Sequence, residues 1–349
     1  AMNYRLPFTF AFACLSSLCI AHAQTATTDP VGVMSTEIPS HDGGSATQSM
    51  INIPFVKAAD YSGQLDAATS NTLTDSDANW TNDEFLSTDV DGDPLFYAEI
   101  TSGPQEGATL PITGNSTSEL TITEDVTGLL NGDESYVIRQ FFTIADIFGP
   151  DNSKFNLASG GSSAQADVLF IMDDFGDINR YYYQTAPSFA GGDGWRRSGD
   201  GGTERANTRI DWNGILLARF NDSTLPEIEM MAEGTVRMNT AKTVISEGMN
   251  LVGYQFPVDT TLGTLGLDPT DLKTGGSSAD ADVVFLIESN GDLNRYYYQE
   301  APSFAGGDGW RRSGDGGTDQ SNRVIEADTA VLIQKRESGS FYMSSTTPF

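Results

Sequence analysis

One run of eighteen residues, "APSFAGGDGWRRSGDGGT", stands at 186–203 and again, unaltered, at 301–318. The correspondence is wider than the identical core: it starts at Gly160 and Gly275, runs to Thr203 and Thr318, and then collapses. A single duplication at this offset means two equivalent structural units, not a many-turn solenoid. The second copy opens on "GMNLVGYQFPVDTTLGTLGL", and "SMINIPFVKAADY" near 49–61 reads as the matching first strand of the first copy. On that reading residues 62–138 are an insertion between the first and second elements of copy one.

Short alternating segments such as "SELTITE", "SYVIRQFF", "ADVLFIM", "NRYYYQ", "GILLARF", "ADVVFLI" and "TAVLIQK" read as strands, separated by runs of Gly, Ser, Thr and Asp. Long amphipathic helices are missing. The expected fold is all-β: a small inserted β-barrel plus two duplicated β-sandwich or barrel-like modules. The boundaries implied are a signal peptide at 1–23, an N-terminal segment with the first strand of repeat module 1 at 24–61, and the inserted barrel at 62–138. Repeat module 1 follows at 139–222, a connecting segment at 223–246, and repeat module 2 with its C-terminal tail at 247–349.

Four pieces of the insertion form a pattern: Leu73 to Trp80, Ser102 to Gly107, Ile112 to Thr121, and Gly132 to Ile138. In this order they resemble the small β-barrel modules of bacterial surface proteins and phage tail fibres, which implies a spacer or display unit. The mature chain as a whole, with "TDPVG" at Thr28 to Gly32, resembles a family of secreted bacterial all-β proteins. That resemblance brings no activity with it.

The first residues have the anatomy of a secretory signal. Arg5 precedes the apolar "LPFTFAFACLSSLCIA", and "AHA" ends at Ala23, so cleavage is expected before Gln24. Lipidation at Cys14 or Cys19 is the competing reading, and Leu18 sits where a lipobox wants a small residue. Both cysteines leave with the signal, which removes disulfides and thiolate chemistry. His41 is then the sole imidazole, too few for a zinc site of several histidines. A formal charge of −29 repels nucleic acid and anionic lipid. No further apolar run is long enough for a transmembrane helix, and the glycine-aspartate loops suit a transmembrane barrel poorly. The chain is expected to be secreted: extracellular, at the cell surface, or periplasmic.

Each copy orders an acidic turn, a tyrosine strand, a long loop and "GWRRSGDGGT". In the strand, Tyr181 and Tyr183 share a face, as do Tyr296 and Tyr298. With Trp195, Arg196 and Arg197, and with Trp310, Arg311 and Arg312, they form a candidate ligand surface. Aromatic faces suit sugars, and arginine forks suit carboxylate or sulfate. The same residues also suit packing, with the tryptophans plugging glycine-rich loops and the arginines paired to Asp193, Asp200, Asp308 and Asp315. Identity between copies does not separate these readings, because gene conversion leaves the same sharp edge.

"DVDGD" places Asp89, Asp91 and Asp93 at the alternate spacing of calcium loops, and the acidic turns add Asp174, Asp177, Asp292 and Asn294. Ile100 stands where an EF-hand needs glutamate. Calcium is the only cofactor the pattern suggests. Paired carboxylates can hydrolyse glycosides, yet none here is set apart by a motif, and phosphate loops and "HExxH" are absent. The chain is therefore expected not to be an enzyme. The leading expectation is a structural or adhesive protein of the envelope or extracellular matrix, associating with itself or other surface proteins. The next is a calcium-assisted binder of acidic polysaccharide, and a polysaccharide-degrading enzyme comes last.

Overall fold

A computed structural model describes residues 29–41, 46–173, 176–185, 191–211, 214–219, 224–288, 291–300, 306–315 and 317–349. The signal segment at 1–23 and Thr28 lie outside these residues. Among them the chain is almost wholly β, with one short helix, Ile144–Phe148.

Each repeat is built on a five-stranded antiparallel sheet. In the first the order is Gly194–Arg197, Ile178–Gln184, Asp167–Met172, Gly214–Arg219, Thr47–Asn52. In the second it is Gly309–Arg312, Leu293–Gln299, Val283–Ile287, Ala330–Ser345, Ala241–Gly253. Alternation along these strands sends one set of side chains into the repeat's own core. Leu169, Tyr181, Trp195 and Leu217 do so in copy one, and Val284, Tyr296, Trp310 and Ile333 in copy two.

A second layer covers each core, which makes the repeats sandwich-like. In copy one it includes the ribbon of Val31–Ile38 paired with Ile228–Thr235, contributing Ile38, Met230 and Ala232. In copy two the same ribbon is continuous with the main sheet. Its strands irregularly shift register between Ser246 and Gly248, then lay Ile245 and Met343 on the core. A bulge of this kind bends a strand pair, so one hairpin serves both layers. The structural repeat thus extends well past the end of the identical segment. The region 223–246, read from sequence as a connection, carries a strand of each repeat.

The first core joins residues from 38–55 to residues from 144–236. Between them the chain builds a core of its own around Leu73, Trp80, Ile100, Leu120, Tyr136 and Ile138. A seven-stranded sheet curls round it, in the order Tyr61–Gln64, Ser135–Gln140, Phe96–Ile100, Thr109–Asn115, Glu119–Ile122, Thr72–Thr74, Ala67–Thr69. The end strands are joined only by Leu65 and Asp66, which donate to Glu134 O and Thr74 O respectively. They share no ladder, so the expected barrel is a curled but open sheet. The corner at Leu65 and Asp66 turns the strand from one partner to the other before the edges can pair.

The remaining faces of the two repeat sheets meet each other. Met50 and Leu251 occupy equivalent places, as do Leu216 and Leu332, and Met172 and Ile287; all six lie in one apolar cluster. Asn52 meets its own counterpart: a Cβ on Gly253 would lie 1.7 Å from Asn52 Oδ1. The Asn52 amide donates to Tyr254 O and Ala327 O, both at 2.7 Å. A residue touching its own equivalent marks a local two-fold axis, so the two copies are joined as an isologous dimer within one chain.

Candidate functional site

The twin Trp-Arg-Arg loops begin with local packing. Thr143 caps the helix Ile144–Phe148 through a reciprocal bond with Asp146, which fixes the chain's exit at Gly149. The Trp195 indole donates to Gly149 O at 2.8 Å, beside Phe148 at 5.8 Å and edge-on to Tyr183 at 5.6 Å. Trp310 makes the same edge contact with Tyr298 at 5.7 Å. Trp195 and Trp310 are buried at 0% and 3% exposure. Neither presents a ring to solvent, so the sugar-stacking expectation fails at both tryptophans. Tyr181 and Tyr296 are buried with them.

Arg196 and Arg311 are also buried and hold the glycine loops shut. Arg196 donates to Gly191 O and Trp195 O and pairs with Glu204. Arg311 donates to Gly306 O, Gly307 O and Trp310 O, with Asp319 at 3.4 Å. The carboxylates of Glu204 and Asp319 pair with this arginine in the two copies. Gly194 and Gly309, at φ 149° and 144°, face these side chains, and a Cβ on Gly194 would clash with Glu204.

The second arginine of each pair behaves differently in the two copies. Arg197 reaches out of its own repeat and donates to Asp91 Oδ2 at 3.1 Å. Arg205 pairs with the same oxygen at 2.7 Å and also with Asp200. Burial alone would lower the Arg205 pKa, but Asp91 and Asp200 outweigh it and raise it. Burial pushes the nearby Tyr181 phenol up to about 12, with Arg197 pulling the other way. Asp89 braces the hairpin tip: it accepts the Asp91 and Asp93 amides through Oδ1, and the Arg209 amide through Oδ2. Arg209 closes the contact by donating to Pro94 O at 3.0 Å and lying 4.6 Å from the Phe141 ring centre.

The "DVDGD" tip thus packs on the first repeat of the same chain. Asp89 faces backbone amides and Asp91 faces arginines. Among the described residues no three acidic, histidine or cysteine side chains gather as a metal site would require. Of the acidic-turn residues, Asp174 lies outside the described residues. Asp177 and Asp292 close hairpin turns through backbone pairing with Asp173 and Glu288, and Asn294 donates to Glu288 Oε1 at 3.0 Å.

In the second copy, Tyr296 stands for Tyr181, Arg312 for Arg197, Gln320 for Arg205 and Glu288 for Asp173. Among the described residues no sheet is inserted in this copy, and no carboxylate corresponding to Asp91 is seen. Tyr296, Arg312, Gln320, Glu288, Asp292, Asn294 and Arg323 instead line a cavity of about 420 Å³. Arg312 is 42% exposed, with Asp315 at 3.6 Å, while Arg323 pairs with Glu288. The Tyr296 phenol is raised first by burial and then by its bond to Glu288. Glu288 and Arg323 also border a cleft of about 800 Å³ that runs between the repeats past Val324 and Ser49.

Sequence reasoning found Arg197 and Arg312 but missed Asp91 as an anchor, and Arg205, Arg209, Gln320 and Arg323 entirely. The available signal was the first charge difference after the identical run, Arg205 against Gln320. Comparison of the chain with protein-family models, curated proteins and solved structures finds no match.

Proposed function

We propose that this chain is a secreted, non-catalytic structural or adhesive protein of the bacterial envelope or extracellular matrix. On this reading its arginine-bearing loops make contacts between protein units. One observation carries it: the loop of copy one already grips another folded unit, through Asp91 on Arg197 and Arg205. Its twin in copy two keeps the tyrosine, the arginine and a cavity, with no inserted sheet to cover them. Such a loop is suited to holding an incoming surface, and self-association is one use of it. Among the described residues no helix is long and apolar enough to cross a membrane.

Light scattering and electron microscopy of the mature protein across concentration, with and without calcium, test the assembly part of this reading. Growth in mass with concentration is expected. A strict monomer throughout would remove self-association, and calcium-dependent capture of an acidic polysaccharide would replace the reading.

A further inference from the structure

We propose that the Arg312 cavity of the second repeat is a docking site for an aspartate-tipped acidic hairpin of another protein chain. The inference deepens the contact reading above and rests on it.

The first repeat supplies the template. Its Tyr181, Arg197 and Arg205 surround a carboxylate delivered on the tip of a hairpin, and that hairpin belongs to a different folded unit. The second repeat presents the same face from an equivalent sheet, with Tyr296 opposite Arg312 in the same register as Tyr181 opposite Arg197. Both sites carry two arginines, but the second of them has moved. Gln320 replaces Arg205, and Arg323 comes in where copy one has Thr208. A carboxylate beside Arg312 therefore meets one guanidinium in place of two, next to the Gln320 amide, which donates to Asp315 Oδ2 at 3.0 Å. Arg312 keeps a long, exposed contact with Asp315, so it remains available to a second anion.

The surroundings constrain the rest of the hairpin. Val324 holds the place of Arg209, which in copy one meets Pro94 O on the hairpin and the Phe141 ring beside it. Val324 is 50% exposed and lines the adjoining cleft. The partner is thus expected to carry its aspartate at the tip and an apolar residue on the flank, where the inserted sheet has a proline carbonyl. The cavity falls within the usual volume range of ligand clefts.

The test titrates the full mature chain with a cyclic peptide reproducing residues 87–95, "STDVDGDPL", by calorimetry. Saturable binding is expected. Changing the peptide aspartate that corresponds to Asp91 to asparagine should weaken it about tenfold, and so should Arg312→Gln in the protein. Gln320→Arg, which restores the copy-one arrangement, should tighten it by about the same factor. Arg312 lies at the surface, and equal thermal midpoints for R312Q and the parent chain will exclude unfolding. Absence of saturable binding to the Q320R chain overturns the proposal, as does binding indifferent to R312Q. Oligogalacturonate competing more strongly than the peptide would overturn it too, in favour of a glycan. A chain that self-associates but ignores the peptide sinks this inference alone. A strict monomer that binds the peptide sinks self-association and leaves the docking site standing.

Discussion

Arg197 Nη1 and Asp91 Oδ2 lie 3.1 Å apart although 106 positions separate the residues in the chain and their strands and loops flank different cores. Their contact ties the curled sheet to the repeat that carries it. Arg205, almost wholly buried, shares the same carboxylate. Replacing Asp91 by asparagine leaves a buried guanidinium with Asp200 alone. The expected loss is about 1–3 kcal/mol, scaled down from a fully buried pair because Asp91 is part-exposed. Urea unfolding of D91N should show it, with Trp80 in the curled sheet and Trp195 in the repeat no longer melting at one midpoint.

Glu99 is the more severe test of the same junction. Buried among polar groups, it pairs with Arg139 at 3.1 Å and with Arg237, while Arg139 donates to Lys57 O at 2.8 Å. Glu99→Ala strands the buried Arg237 and leaves Arg139 with Asp29 as its carboxylate partner, and should cost about 3–5 kcal/mol. A double-mutant cycle with Arg237→Met should return a large coupling energy, because the second change removes the stranded charge.

The tryptophans separate packing from recognition. Trp195→Ala and Trp310→Ala should each lower stability by about 3–5 kcal/mol through lost burial. Trp195→Phe keeps most of the apolar contact but loses the bond to Gly149 O, and should cost about 1–2 kcal/mol. Calorimetric melting of the three variants checks the order.

Acid sensitivity should be traceable to Glu134. Burial raises its pKa, but the backbone amides of Asn131, Gly132 and Asp133 outweigh burial and bring it below the ordinary value. A lowered folded pKa contributes stability above the unfolded value, about 4.3, and that stability is lost as pH falls through the folded value. Glu134→Gln should therefore be less stable than the parent at pH 7, with the gap closing toward pH 3. Urea midpoints across that range measure it.

The all-β class was legible because period-two alternation is local: "SYVIRQ" declares Tyr136 and Ile138 inward without help from any distant residue. The inserted strands were legible for the same reason. The open edge of the curled sheet was not, because it depends on the corner at Leu65 and Asp66, where one strand changes partners. The ribbon strands Val31–Ile38 and Ile228–Thr235 were missed as a pair because nearly two hundred residues separate them and nothing in either copies its counterpart. Trp195 and Arg197 were both singled out, yet composition cannot tell a ring turned inward from one turned outward. Here the indole finds Gly149 O inside and the guanidinium finds Asp91 outside. The opposite fates of Arg197 and Arg312 depend on an element present in one copy only, which inspection of the repeated loop by itself does not reveal.

The packing of Met50 and Leu216 with their equivalents Leu251 and Leu332 in one cluster has a consequence for how molecules of this kind add to one another. A self-complementary patch lets two separate molecules close into a pair and stop, and in this chain that patch is already spent internally. A copy-to-copy contact between the Arg312 cavity and an acidic loop joins unlike surfaces. Contacts of that sort do not terminate at two; they propagate, closing into a ring if the rotation allows and running on as a filament if it does not.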